Sequence, residues 1–352
     1  MKREVLPLKR KLKIAVSCIA IILVTATVLG FAQALVVPKY MTSSLEGNLV
    51  SEYYQETTTH DVLLIGDCEV YECFTPPTLW EEYGITSYIR GSAQQLAWHS
   101  YYLLEESLKK EQPKVVVFNV LALKYGEPQK EAYNRMTLDG MEWSRSKIEA
   151  IRASMTDEET FLSYVFPILR FHSRWKEIGA EDFEYLFHRD TVSHNGYLMQ
   201  TDVKAVTDII EPTPIVETTL PSTSMEYLDK MRALCEENGA EFVLIKAPTN
   251  SWRYYWYDEW DEQIVDYAEK NGLDYYNFIP LCEEIGIDWS QDTYDYGAHL
   301  NVYGAEKLTS YFGKILAENY GVEDHRTDAE LASVWVDKVD AYYAEKRERE
   351  GG

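Results

Sequence analysis

Twenty-four consecutive uncharged residues, Ile14 to Val37, constrain this chain more than any other feature of its sequence. At a helical rise of about 1.5 Å per residue such a run crosses a bilayer, and it exceeds the roughly 7 to 15 apolar residues of a cleaved signal. Lys2, Arg3, Lys9, Arg10, Lys11 and Lys13 precede it against a single acid, Glu4. The run therefore reads as an uncleaved signal anchor: residues 1–13 cytoplasmic, residues 14–37 spanning, and everything beyond about residue 38 outside the cell membrane. The competing reading is a signal peptide cut at Ala32-Gln33-Ala34.

Setting the basic end aside leaves 28 basic and 57 acidic residues, a net charge of −29 on the exported part. That excess repels nucleic acid and anionic lipid, so no nucleic-acid partner is expected, and the membrane is engaged through the N-terminal helix. Of the five cysteines, Cys18 lies in the span, and Cys68, Cys73, Cys235 and Cys282 lie beyond it. Four in so long a chain are too few for a disulfide scaffold, although one bridge, Cys235 to Cys282 or Cys68 to Cys73, is compatible with the exterior.

Residues 38–59 are polar and read as a stalk, with the folded domain running from residue 60 to 320. Within it Val62–Ile65, Val115–Val120 and Phe242–Ala247 are apolar runs of strand type. Helical stretches, Tyr101–Lys109 and Ser224–Glu237, lead into the second and third. Asp274–Ile279 adds a further strand and Ala305–Asn319 a closing helix. Strands alternating with helices predict an α/β domain whose parallel sheet is covered on both faces. The pattern lapses between about residues 124 and 222, an insertion rich in aromatics, His and Arg, of the kind that shapes a site at strand ends. Residues 321–352 form a charged, helical C-terminal tail with no assigned chemistry.

The chemistry concentrates at two places. In "DVLLIGDCEVYE", residues 61–72, a strand runs into Gly66-Asp67-Cys68 and then a helix-forming stretch, which exposes the side chain at the turn. In "DTYDYGAHLNVYG", residues 292–304, His299 follows Asp295 by four on a glycine-containing loop before a helix. Acyl transfer needs a nucleophile, an imidazole to take its proton, a carboxylate to orient the imidazole, and donors for the oxyanion. Cys68, His299 and Asp295 supply the first three. Gly91 offers a backbone N–H and Asn119, at the end of the second apolar run, a side-chain amide.

These blocks resemble the SGNH/GDSL hydrolases, especially exported, membrane-anchored bacterial members of the DltD and alginate acetyltransferase kind. Gly66-Asp67-Cys68 matches the Gly-Asp-Ser turn, Gly91 the second-block glycine, Asn119 the third-block asparagine, and Asp295 with His299 the terminal pair. The resemblance implies a flavodoxin-like three-layer α/β/α sandwich, the SGNH hydrolase fold. It further implies ester hydrolysis or O-acyl transfer on an acylated glycan or cell-wall polymer, with no metal and no organic cofactor. Two departures stand out. Cysteine replaces the family's serine, and the Asp-to-His spacing is one residue longer, which keeps Asp292 as an alternative carboxylate. A thiol in a site built for a hydroxyl is either a working nucleophile or the mark of an impaired enzyme that binds glycan or an assembly partner.

The remaining candidates carry weaker chemistry. Glu69 beside the nucleophile and Arg90 beside Gly91 are possible substrate contacts, with a helix-start acid and a surface ion pair as the plain readings. Trp252 and Trp256, in the aromatic stretch "NSWRYYWYDEW", suit stacking on a sugar ring or covering of the core. His60, His99, His172, His188 and His194 show no metal-ligand spacing, and oligomeric state is not legible.

Overall fold

The computed structural model describes residues 7–37, 45–189, 191–206, 215–251 and 255–351. They form two units: one within Met1–Tyr40 and Glu159–Asp190, the other within Met41–Glu158 and Thr191–Gly352.

The larger unit is built on a five-stranded sheet: β1 (Val62–Gly66), β2 (Ser87–Gly91), β3 (Val115–Asn119), β4 (Glu241–Lys246) and β5 (Tyr275–Asn277). Every pairing is parallel and the spatial order is β2-β1-β3-β4-β5. This is the flavodoxin-like doubly wound order, and helices cover both faces, in accord with the expected class. Central strands of such a sheet are buried on both sides, which is why VLLI and VVVF carry no polar alternation. Odd and even positions serve different layers. Val62, Leu64, Val115, Val117, Val243 and Ile245 pack toward helices Pro76–Tyr83, Val302–Asn319 and Ala329–Gly351. Ile65, Val116, Phe118, Phe242 and Leu244 pack toward Ala97–Lys110, Ser222–Asn238 and Asp258–Asn271.

Several boundaries differ from the sequence reading. β2 was not anticipated; Arg90 within its SYIRG hides its strand character, yet all five residues are buried. The expected stalk is not one over its described part: Leu49, Val50 and Tyr53 are buried in short helical turns, because their apolar side chains have a core to join. Residues 38–44 lie outside the described residues. The tail is an ordered helix, Ala329–Gly351, pinned by the buried Trp335 and Tyr342. Trp335 stacks on Trp80 at 5.3 Å. All five cysteines are free thiols, so neither bridge forms.

The insertion does not act as one block. Glu131–Leu138 and Arg145–Ser154 are helices of the larger unit. Residues 194–204 then cross that unit as an extended strap. It binds β2 through Ile89 N–H to the Asn195 carbonyl (2.9 Å), Tyr71 through Leu198 N–H (2.8 Å), Val302 N–H through the Gln200 carbonyl (2.7 Å), and the Thr293 carbonyl through Lys204 N–H (2.9 Å). One strap thus ties the segment after β1 to the loop carrying His299.

The smaller unit contains helix Leu8–Val36, long and apolar enough to cross a membrane. Short helices from residues 161 to 187 pack against it.

Gly196 anchors the strap at a left-handed φ of +85°, where an added Cβ would lie 2.2 Å from the Ile89 carbonyl oxygen. Gly196→Ala should therefore lower stability by on the order of 3 kcal/mol, combining backbone strain with a contact that rigid β2 cannot relieve. Urea unfolding of the full chain in detergent measures this; a loss of only a few tenths of a kcal/mol would contradict it.

Candidate functional site

In a doubly wound sheet the crevice lies beyond the carboxyl ends of the strands, where the winding direction reverses. Here that reversal falls between β1 and β3. Cys68 follows β1 directly, and Asn119 closes β3. The turn is tight because Gly66 has no side chain: a Cβ there would meet Val70 at 2.4 Å and Asn119 at 3.1 Å. Asp67 caps the short helix Cys68–Tyr71, its carboxylate accepting the Glu69 N–H at 3.2 Å. Gly91 ends β2 in register with Gly66, so the first two glycines of the sequence constellation stand side by side.

His299 reaches this turn from a loop folded back on itself by the Thr293–Leu300 bridge. Gly297 takes a φ of +86° in close approach to Asn250, whose N–H donates to the Gly297 carbonyl at 2.7 Å. Asp295 accepts the His299 N–H at 2.9 Å on one oxygen and meets ring Nδ1 at 2.7 Å with the other. The extra residue between Asp and His is absorbed by this glycine. Asp292, the alternative carboxylate, is used elsewhere: it pairs with Lys307 at 2.6 Å and accepts the Asp288 N–H at 2.7 Å.

Asp295 and Glu72 both face Nδ1, and Cys68 and His299 lie close enough for each to shift the other's proton affinity. Cys68, His299 and Asp295, separated by more than 200 residues of chain, therefore converge. Cys68 keeps part of its surface accessible. Burial nevertheless pushes its thiol up to about 11, only partly offset by His299. For His299 burial acts against the charged form, but Cys68, Glu72 and Asp295 outweigh it and raise the imidazole well above its ordinary range.

Glu72 was not found in the sequence. It lies one helical turn beyond Cys68 and is buried, with Oε2 3.3 Å from His299 Nδ1. Tyr294 donates its hydroxyl to the same carboxylate at 2.9 Å, and its ring stacks over His299. Burial raises Glu72 to about 7 against the pull of His299. The i, i+4 spacing from Cys68 was the available signal, since it places both on one helical face.

A second unforeseen cluster underlies the turn. Lys246 Nζ at the end of β4 meets both Glu69 oxygens at 2.8 Å, and neither side chain has exposed surface. Asn119 donates Nδ2 to Glu69 (3.0 Å) and Asp67 (3.4 Å), while its Oδ1 accepts the Ala247 N–H at 3.2 Å. Glu69 is thus a structural clamp and not a substrate contact, and the Asn119 amide is engaged with carboxylates instead of facing open space. Burial lowers the Lys124 pKa, while Glu69, Asp67 and, more weakly, Cys68 oppose that shift.

The other expected contacts lie away from this chemistry. Arg90 is fully buried, donating to the Val50 carbonyl at 3.2 Å and lying 3.9 Å over the Tyr53 ring. Trp256 is buried, with Nε1 donating to Asp261 at 3.0 Å, so it covers core. Trp252 lies outside the described residues. No group of three His, Cys, Asp or Glu side chains suited to a metal occurs among the described residues.

No family model matches this chain, and neither does any curated protein. Among solved structures, it aligns with a Bacteroides fragilis protein provisionally described as an acylhydrolase, at 11% identity and a TM-score of 0.37, over 77% of this chain and 95% of that one. At that score the likeness carries no argument about chemistry.

Removing Lys246 should leave the Glu69 carboxylate without a counter-charge at a position with no exposed surface. Lys246→Met is expected to cost about 3–5 kcal/mol, and the double change Glu69→Met with Lys246→Met distinctly less, because the second removes the orphaned charge. Denaturant unfolding of both variants tests this; equal losses in the two would refute a coupled pair.

Proposed function

We propose that this protein is an extracytoplasmic, single-pass membrane enzyme of SGNH type that cleaves or transfers acyl esters through a Cys68 thioester. The observation that carries the reading is the convergence of Cys68, His299 and Asp295, with Asp295 2.7 Å from ring Nδ1 and the thiol near enough to the ring for the two to shift each other's proton affinity. In the reaction His299 takes the thiol proton as sulfur attacks the acyl carbon. The C–O bond of the ester then breaks, and His299 returns the proton to the departing alkoxide. Water or a sugar hydroxyl, deprotonated by the same imidazole, attacks the thioester and frees Cys68. The N–H groups of Cys68 and Gly91 are assigned to the oxyanion. Net charge argues against a nucleic-acid substrate, and an acylated glycan or envelope polymer suits an exported, acidic domain.

One observation favours a second reading, an SGNH-fold scaffold that binds glycan with little turnover. Burial raises the thiol to about 11, and the charges around His299 raise the imidazole well above its usual range, which disfavours both the thiolate and the neutral imidazole that acylation needs.

The two readings separate on transfer to a short activated ester. Acyl-Cys68 should be detectable by mass spectrometry at alkaline pH, and His299→Ala should reduce its formation by about 10²-fold or more. If neither the natural chain nor Cys68→Ser acylates at any pH, the enzymatic reading is wrong.

The pH profile has a definite sign. A raised imidazole must lose its own proton before it can accept one, so the acylation rate should keep climbing above the ordinary histidine range, near pH 6.5. Glu72→Gln removes a negative charge 3.3 Å from Nδ1 and should move the rising limb to lower pH. A limb that levels off near 6.5, or does not move in Glu72→Gln, would remove Glu72 from the account.

A further inference from the structure

The helices between residues 161 and 187 belong to the smaller unit, and they expose much of their apolar surface. Leu162, Phe166, Leu169, Trp175, Phe183 and Phe187 are all exposed, Trp175 at 65% and Phe187 at 83%. A soluble domain rarely leaves such a concentration open to water. The helices are also short: Phe161–Val165, Ile168–Phe171 and Ala180–Phe187, joined by a 3₁₀ turn at His172–Lys176. Helices of this length are marginal in water without a surface to pack on.

What they pack on is the end of the membrane-length helix. Arg174 donates to the Val36 carbonyl at 3.1 Å and the Val37 carbonyl at 2.6 Å, and its other terminal nitrogen lies 3.4 Å from Asp182. The last carbonyls of a helix have no partner within it, and leaving them unsatisfied in hydrocarbon is costly. Phe183 meets Phe31 with ring centroids 6.3 Å apart. These contacts hold residues 161–187 beside the point where the uncharged run ends. Trp175 adjoins Arg174, and exposed Arg170, Lys176 and Arg189 are interspersed with the apolar groups. Aromatic and basic side chains together are the composition of a membrane–water interface. Local charge also fits: residues 161–189 carry four basic and four acidic residues, whereas the exported chain as a whole is strongly acidic.

We propose that residues 161–187 form a second membrane-contacting element, an interfacial collar whose exposed apolar side chains enter the lipid at the outer end of helix Leu8–Val36. The proposal rests on the reading of that helix as a retained anchor. It assigns lipid, not a protein partner, as the occupant of the exposed face, because the face is continuous with a helix that itself requires lipid.

Photo-crosslinking of the full chain in its membrane tests it. A benzophenone amino acid is placed singly at Leu23 in the anchor, at Phe166 and Phe187 in the collar, and at exposed Val336 to set the background. Lipid adducts at Phe166 and Phe187 with yields comparable to Leu23, and well above Val336, are the expected result. Adducts at Leu23 with only background lipid labelling at Phe166 and Phe187 would overturn the collar while leaving the anchor intact. Protein adducts at the collar positions would overturn it in favour of a protein-docking surface. Loss of lipid labelling at Leu23 itself would remove the anchor reading and the collar with it.

Discussion

The buried ion pair between Glu69 and Lys246 is the interaction on which the candidate site depends. It joins the turn after β1 to the end of β4 across β3, with Asn119 of β3 bonded to Glu69 and to Asp67. Two charges without exposed surface are tolerable only when each answers the other and the spare lone pairs are filled. Here Lys246 also donates to the Ala247 carbonyl at 2.8 Å, so two of its three N–H groups are accounted for by Glu69 and one by backbone. Cys68 lies between Asp67 and Glu69, and both neighbours are held from below. Its backbone position is consequently tied to the sheet beneath it.

Above that floor the electrostatics run in one direction. His299 sits between a buried thiol and two carboxylates, Asp295 and Glu72, and folding favours its protonated form. Because the folded value is raised, this contribution to stability is fully present below the ordinary histidine range and is lost as pH rises through the raised value. Tyr294, bonded to Glu72, belongs to the same cluster.

Legibility followed the range of the interactions. The strands β1, β3 and β4 were readable because full burial turns them into unbroken apolar runs. β2 was not, since Arg90 lies over the Tyr53 ring and donates to a backbone carbonyl contributed by a segment that read as a stalk. Cys68, Asp295 and His299 were identified from local chemistry: a glycine-bounded turn and an acid four residues before an imidazole. Lys246 looked like the end of an apolar strand and Glu72 like an ordinary helical acid, because each acquires its role from a partner remote in sequence.

The sequence by itself determined the segment long enough to span a membrane, the parallel α/β class, and the two short stretches that hold Cys68 and the Asp295–His299 pair. These are consequences of composition, periodicity and near-neighbour chemistry, all of which act along the chain. Tertiary structure alone decided that the two stretches meet, that Asp295 and not Asp292 faces His299, that Glu69 supports the turn from beneath, and that residues 161–187 join the N-terminal helix. Those outcomes depend on desolvation and on hydrogen-bond partners brought together by the sheet order and the returning strap. Neither is a property of any residue until the chain has folded.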